Sequence, residues 1–350
     1  MTQKAAIVTT LKNTGPVLDS FIRYHLSAGF EHMFLFFDDP QDPAVELARR
    51  YSRVTVVLHD DKLREMWKQT RQYALLKDFF RFIDREVMAR QMLNTEVAVG
   101  MALEKGMDWL LHIDSDEFFY LPDQTVSKHF TALAAKDIRR ISYRNYEAIP
   151  ERSDIDDYFA EVTLFKKNSP SVTRGNLSPR LNALISHIPQ LPDTFFHFYK
   201  NGKSAARLCE GLLPNGVHDF MLPEELGTKL LIPNLPQNTD GGEGVRTWTS
   251  AHAVILHYAC SGFESFWNKY VTLGHFDDKW FGQFEIGKRL PFHVEARNVV
   301  MGGNREAARE FYEKRFVINN RSDVNRLIEA NVACRIDAPA SMLAGQYVAA

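Results

Sequence analysis

Four apolar runs, each ending in polar residues, constrain this chain more than any other feature. "AAIVTTL", "HMFLFFDD", "RVTVVLHD" and "MDWLLHIDSDEFFY" read as strands, rich in β-branched and aromatic residues. Helix-like stretches separate them. "GPVLDSFIRYHLSAGF" is amphipathic and closes at Gly29, and "DPAVELARRY" opens on Asp42 and Pro43, an N-cap and first-turn pair. A long helical region, roughly Lys68 to Glu104, precedes the fourth run. Such alternation predicts an α/β fold whose mostly parallel central sheet is flanked by helices.

The rest of the chain is less periodic. From about 130 to 245 it is rich in Pro, Gly and Asn. "SPSVTRGNLSPR", "LLPNGVHDF" and "LIPNLPQNTDGGEGVRTW" read as loops, and "DGGEG" has the spacing of neither a P-loop nor a Rossmann turn. "AHAVILHYA" is a buried strand, and "SGFESFWNKYVTL" a helix with Ser261 and Glu264 at capping-box spacing. The final 80 residues or so look helical, ending in a small-residue tail, "APASMLAGQYVAA", expected to be disordered. The expected organisation is 1–130 and 131–270 as two halves of one domain, with 271–350 a mainly helical extension.

Composition excludes little. A net charge of −2 over 350 residues gives no bulk attraction to nucleic acid or an anionic membrane. The three cysteines, Cys209, Cys260 and Cys334, are far apart and suggest a reducing compartment rather than a disulfide scaffold. The start lacks a signal peptide's h-region, and no uninterrupted apolar run reaches about 20 residues, so a cytoplasmic chain without a transmembrane segment is expected. Peripheral membrane association stays open.

In open α/β sheets ligands gather at the carboxyl ends of strands. Three early strands end in Thr9–Thr10, Asp38–Asp39 and His59–Asp61. The fourth is the most demanding, because Asp114, Asp116 and Glu117 crowd three carboxylates into four positions after a buried run. Clustered carboxylates repel each other, and a D-x-D at a strand end can place oxygens around one Mg2+ or Mn2+. An acidic turn facing water is the alternative. Position alone leaves both open.

The block "WLLHIDSDEFFY" resembles the W-x-x-x-I-D-x-D-E-F block of glycosyltransferase family 92. Three further blocks, in the right order, are similar to that family: "VLDSFIRYHLSAGFEHMFLFFDD", "NGKSAARLCEG" followed by "GVHDF", and "ILHYACSGFESFWNKY". Together they cover roughly residues 7 to 270. The chain departs from the family at Asn13-Thr14, where Asn-Glu is usual, and at Phe37-Asp38-Asp39, where Tyr-Asp-Asn is usual. Ala259-Cys260 also precedes Ser261 where Arg is common.

The resemblance implies a GT-A fold, a Rossmann-like variant of the α/β class, with a helical C-terminal extension. It implies a metal-dependent, inverting hexosyl- or pentosyltransferase. The donor would be a nucleotide sugar, UDP-linked (UDP-galactose, for example), and the acceptor a glycan or glycoconjugate. Asp114 and Asp116 would hold Mn2+ or Mg2+, one of them alternatively touching the donor ribose. His257 would be the third ligand, with His218 in competition for that place. Lys203 and Arg207, at i and i+4 on one face if helical, would meet the leaving phosphate. Asp219 is the first choice for the general base and Glu117 the second. Thr9, Asn13 and Asp38 would bind base and ribose, while Arg90, Gln91 and Asn94 reach the diphosphate. "FFHFY" at 195–199 would stack on an acceptor sugar or form a packed strand. Two rival functions remain: a sugar nucleotidyltransferase, against which the single Lys and Gly of "TTLKNTGPVLD" speak, and a non-catalytic carbohydrate-binding protein of the same fold.

Overall fold

Every residue of Ala5–Leu11 is buried, and this seven-residue stretch forms β1, the strand around which the N-terminal sheet is built. The structure, a computed structural model, describes residues 2–76, 78, 81–168, 188, 201–226 and 248–345. Two of the expected loops, at 169–180 and 231–247, and the "FFHFY" segment lie outside the described residues.

After β1 comes α1 (Val17–Ala28). It buries Leu18, Phe21, Ile22 and His25, the i, i+3, i+4, i+7 stripe of an amphipathic helix. Burying apolar side chains of this size stabilises the fold by about 1.5–3 kcal/mol each. Gly29 stops the helix at φ 106°, a left-handed conformation that costs glycine no Cβ clash. The chain returns through β2 (His32–Phe37), α2 (Ala44–Arg49) and β3 (Val54–Leu58). Just before α2, Asp42 Oδ1 accepts from the Ala44 N–H at 2.9 Å, while Pro43 takes the N-cap position. Next comes α3 (Asp61–Lys68), and the long helix expected after it is broken into α4 (Arg71–Leu75) and α5 (Val87–Glu104). Asp60 and Thr70 cap the first two through their side chains, so each starts afresh. Then come β4 (Trp109–His112), β5 (Glu117–Tyr120) and α6 (Val126–Ala135).

The contacts divide the chain into two units, each discontinuous: Met1–Arg144 with Asn201–Ile255, and Asn145–Lys200 with Leu256–Ala350. The chain passes from one unit to the other within β6 (Arg140–Ala148) and again within β11 (Trp248–His257).

In the first unit β3, β2, β1 and β4 lie side by side and parallel. The antiparallel strand β8 (Lys203–Arg207) continues the sheet between β4 and the start of β6. A small hairpin, β9 (Leu213–Asn215) and β10 (Asp219–Met221), follows.

In the second unit the end of β6 pairs with β7 (Leu164–Lys166), and β7 with a late strand, Ala333–Arg335. That late strand interrupts a C-terminal region expected to be helical. The core here is aromatic: Phe263, Phe266, Tyr270, Tyr312 and Phe316 are all buried. The helix Phe263–Leu273 is capped by Gly262 rather than by the expected Ser261–Glu264 box. Ser261 Oγ is buried without a partner, and Glu264 pairs with Arg305. Part of the tail expected to be disordered is helical over Ala338–Gly345. No helix among the described residues is long and apolar enough to cross a membrane.

Candidate functional site

The strand order β3-β2-β1-β4 reverses at β1. The chain moves outward through β2 and β3, then returns to lay β4 on the other side of β1. At such a switch point neighbouring connections diverge and leave a crevice at the carboxyl ends, where α/β sheets bind ligands. The acidic turn 114–117 follows β4 directly.

Glu117 shapes that turn. Its N–H donates to the Asp114 carbonyl at 3.1 Å, and its Oε2 accepts from the Asp114 N–H at 2.7 Å. The side chain is buried, so Glu117 serves the turn rather than solvent. Asp114 is held from two sides. Gln91 on α5 donates from Nε2 to its Oδ1, and Lys203 on β8 donates from Nζ to its Oδ2, each at 2.7 Å. Lys203 also donates to the Val217 carbonyl at 3.2 Å and lies 3.7 Å from Glu117 Oε2. Burial alone would raise the Asp114 carboxyl, but the ammonium of Lys203 holds it well below the usual carboxylate range. Burial likewise opposes charge on Lys203, yet Asp114 and Glu117 lift it above its ordinary value. Both groups are therefore charged at neutral pH.

His112, two residues before Asp114, is buried beside this pair. Burial, aided by Lys203, pushes its imidazole down to about 3, and its Nε2 is buried without a hydrogen-bond partner. The period-two spacing from Asp114 was the sequence signal for this neighbour.

At the ends of β2 and β3, Arg90 grips Asp38 with two parallel bonds, Nε to Oδ1 at 2.5 Å and Nη2 to Oδ2 at 2.7 Å. Burial would raise Asp38, but His59 and Arg90 hold it down at about 2. Arg90 and Asp38, expected to meet different parts of a donor, thus meet each other. Asn94 is structural: its Nδ2 donates to Thr10 Oγ1 and its Oδ1 accepts from Trp67 Nε1, both at 2.9 Å. Thr9 is buried in β1, and its hydroxyl has no hydrogen-bond partner. Asn13 stands exposed in the turn after β1, at φ 53°, with its N–H donating to Asp42 Oδ2.

Three expectations need correction. "KSAAR" is a strand, because it pairs with both β4 and β6. Four residues of strand span about 13 Å, so Lys203 and Arg207 do not converge on one phosphate, and Arg207 is exposed. Asp219 lies across the sheet from Lys203. Ser204 and Arg140, its neighbours, occupy the face opposite to Lys203, since side chains alternate along β8 and Ser142 pairs with Ser204. Burial raises the Asp219 carboxyl, and its Oδ1, 3.6 Å from Arg140 Nε, is buried without a hydrogen bond. His257 belongs to the second unit, where its Nδ1 donates to Glu147 Oε2 at 2.9 Å. His218 stays in the first unit, with Nδ1 2.8 Å from the Gly202 carbonyl.

Asp114 and Asp116 offer the hard oxygen donors that suit Mg2+ or Mn2+. Each Asp114 oxygen accepts one protein hydrogen bond and keeps a further lone pair. Among the described residues no group of three or more His, Cys, Asp or Glu side chains gathers closely enough to hold a metal. Two carboxylates would leave most of a Mg2+ or Mn2+ shell to water or phosphate oxygens.

No family model matches the chain. The Arabidopsis thaliana protein glycosyltransferase-like At2g41451 is 28% identical over 333 residues, covering 91% of this chain and 67% of its own. In sequence this chain is similar to glycosyltransferase-like proteins. Glycosyltransferase-like At3g57200 from the same plant is 30% identical over 206 residues, covering 57% of this chain and 39% of its own. The chain thus spans about two thirds of the first relative and about two fifths of the second. Core-mannan synthase A from Aspergillus fumigatus, in its Mn/GDP form, superposes with a TM-score of 0.29 and 8% identity over 59% of this chain and 60% of that one. At that score the likeness carries no argument.

Proposed function

We propose that this chain is a glycosyltransferase that binds a nucleotide-sugar donor where β1 and β4 part. The observation that carries the reading is the acidic turn, fixed by Glu117 and backed by a buried lysine at the sheet's switch point. The glycosyltransferase-like relatives support it over most of the chain's length. The resemblance of four blocks to family 92 supports the finer reading: a GT-A enzyme, an inverting mechanism, a UDP-linked sugar and a glycan or glycoconjugate acceptor. The three cysteines, none of them in a disulfide, suit work in a reducing compartment.

In the transfer, an acceptor hydroxyl oxygen attacks the anomeric carbon, and the bond from that carbon to the phosphate oxygen breaks. The nucleoside diphosphate leaves with the electron pair, and the hydroxyl proton passes to a base. A divalent cation held by Asp114 and Asp116 would supply charge neutralisation to the leaving diphosphate. Glu117 fixes the turn, Gln91 orients Asp114, and Lys203 keeps positive charge beneath it. Arg90 holds Asp38 rigid at the neighbouring strand end. Glu117 Oε2 already accepts from the Asp114 N–H and Asp219 lies across the sheet from Lys203, so neither position favours the base assignment.

The test is thermal stability against UDP, GDP, CMP and their sugars, with and without Mn2+. One nucleotide should raise the melting temperature in an Mn2+-dependent way, by mass action on the native state. Wild-type protein indifferent to every nucleotide would remove the reading.

A further inference from the structure

Asp114 is already neutralised before any ligand arrives. We propose that Lys203 is a resident counter-cation of the acidic turn, and that it makes the divalent ion and the nucleoside diphosphate bind as a coupled pair. The inference rests on the donor reading above.

Three observations support it. The ammonium sits 2.7 Å from Asp114 Oδ2, with its side chain fully buried, and the Val217 carbonyl holds it from another direction at 3.2 Å. Its root is fixed as well. Gly202, at φ 63°, packs so tightly that a Cβ would run into the Tyr143 carbonyl, and the same residue's carbonyl accepts from His218 Nδ1 at 2.8 Å. The third observation is that Gln91 occupies the other Asp114 oxygen. The first aspartate of the pair is thus committed on both sides to donors of the protein.

A divalent ion entering this turn alone would stand beside a buried ammonium, and like charges at such range raise each other's free energy, more so when one of them is shielded from water as Lys203 is. A diphosphate arriving with the ion brings negative charge that serves both cations. The bare turn should therefore bind the ion weakly and the ion–nucleotide pair well. By linkage, each ligand must tighten the other by the same factor.

The experiment titrates Mn2+ into the full chain and reads the free ion by electron paramagnetic resonance, with and without UDP. It uses wild type, Lys203→Met, Lys203→Gln and Lys203→Arg. In the wild type, UDP should tighten Mn2+ about tenfold or more. Without nucleotide, Lys203→Met and Lys203→Gln should bind Mn2+ about tenfold tighter than wild type, and the gain from UDP should shrink. Lys203→Arg should keep the wild-type pattern. Neutral variants with wild-type Mn2+ affinity would overturn the proposal. So would a UDP that binds the wild type yet leaves its Mn2+ affinity unchanged, an outcome readable even if no variant folds. A UDP that does not bind at all counts against the donor reading, and the Mn2+-only comparison of the variants still decides the role of Lys203.

Discussion

Two buried acid–base clusters, one in each unit, are built from similar parts and differ in access. In the first unit Asp114 meets Lys203, and its side chain remains about a third exposed, at 32%. In the second, Glu147 accepts from His257 and from the Asn145 amide, which in turn accepts from Asn168 at 2.9 Å. Lys166 stands opposite Glu147 in the β6–β7 register, and every member of this cluster is buried. The first cluster ends in a turn that a ligand can approach, and the second is closed by its own amides. A carboxylate beside a base is therefore not enough to mark a site; the open side is what distinguishes recognition from internal support.

The sharpest way to break this comparison is Asp116→Ala. It should lower transfer about a thousandfold or more while changing stability by no more than about 1 kcal/mol, checked by product formation and by melting temperature. Retained transfer would leave the acidic turn a mere surface feature. Next in size is Glu147→Leu, which strands buried His257 without its carboxylate and removes the negative charge beside Lys166, and should cost about 3–5 kcal/mol in urea unfolding. Asp114→Ala also strands a buried cation, Lys203, but beside an open turn that water can enter. Its cost should be smaller than that of Glu147→Leu, and a larger one would reverse the contrast.

The two units should also part in their pH response. Burial lowers Lys166 from 10.5 to about 8 against the pull of Glu147. Between those values the unfolded chain holds a proton that the native one has released, so stability rises with pH across that window, by about 3 kcal/mol at most. Lys166→Met should flatten the rise in urea midpoints measured from pH 8 to 10.5. In the first unit Asp38 falls from 3.8 to about 2. Its stabilisation is present above pH 3.8 and fades as pH drops toward 2, about 2 kcal/mol in all. Arg90→Leu should remove most of that loss, seen as a variant whose deficit against wild type narrows with acid.

What could be read from residues alone follows the range of the interactions. The strand–helix alternation, the Gly29 stop and the acidic turn are set by neighbours within a few positions, and all three are legible. "KSAAR" misled because its alanines favour a helix in isolation, whereas pairing on both sides makes it a strand. Ser261 and Glu264 have the right spacing for a capping box, but Gly262 takes the cap instead. Glu147 and His257 are 110 residues apart, and no periodicity links them. Gln91 was legible as a residue near the site, but its bond to Asp114 depends on how α5 is rotated against β4, which sequence does not encode locally.

The pairing of β8 with β4 has a consequence for synthesis. Lys203 follows Asp114 by 89 residues, so a ribosome releases the crowded acids long before it makes the cation that answers them. A nascent chain halted before residue 200 would carry three neighbouring carboxylates and a bare flank on β4, a strand with one partner missing. The first unit can reach its native charge balance only after the polypeptide has gone out to the other unit and come back.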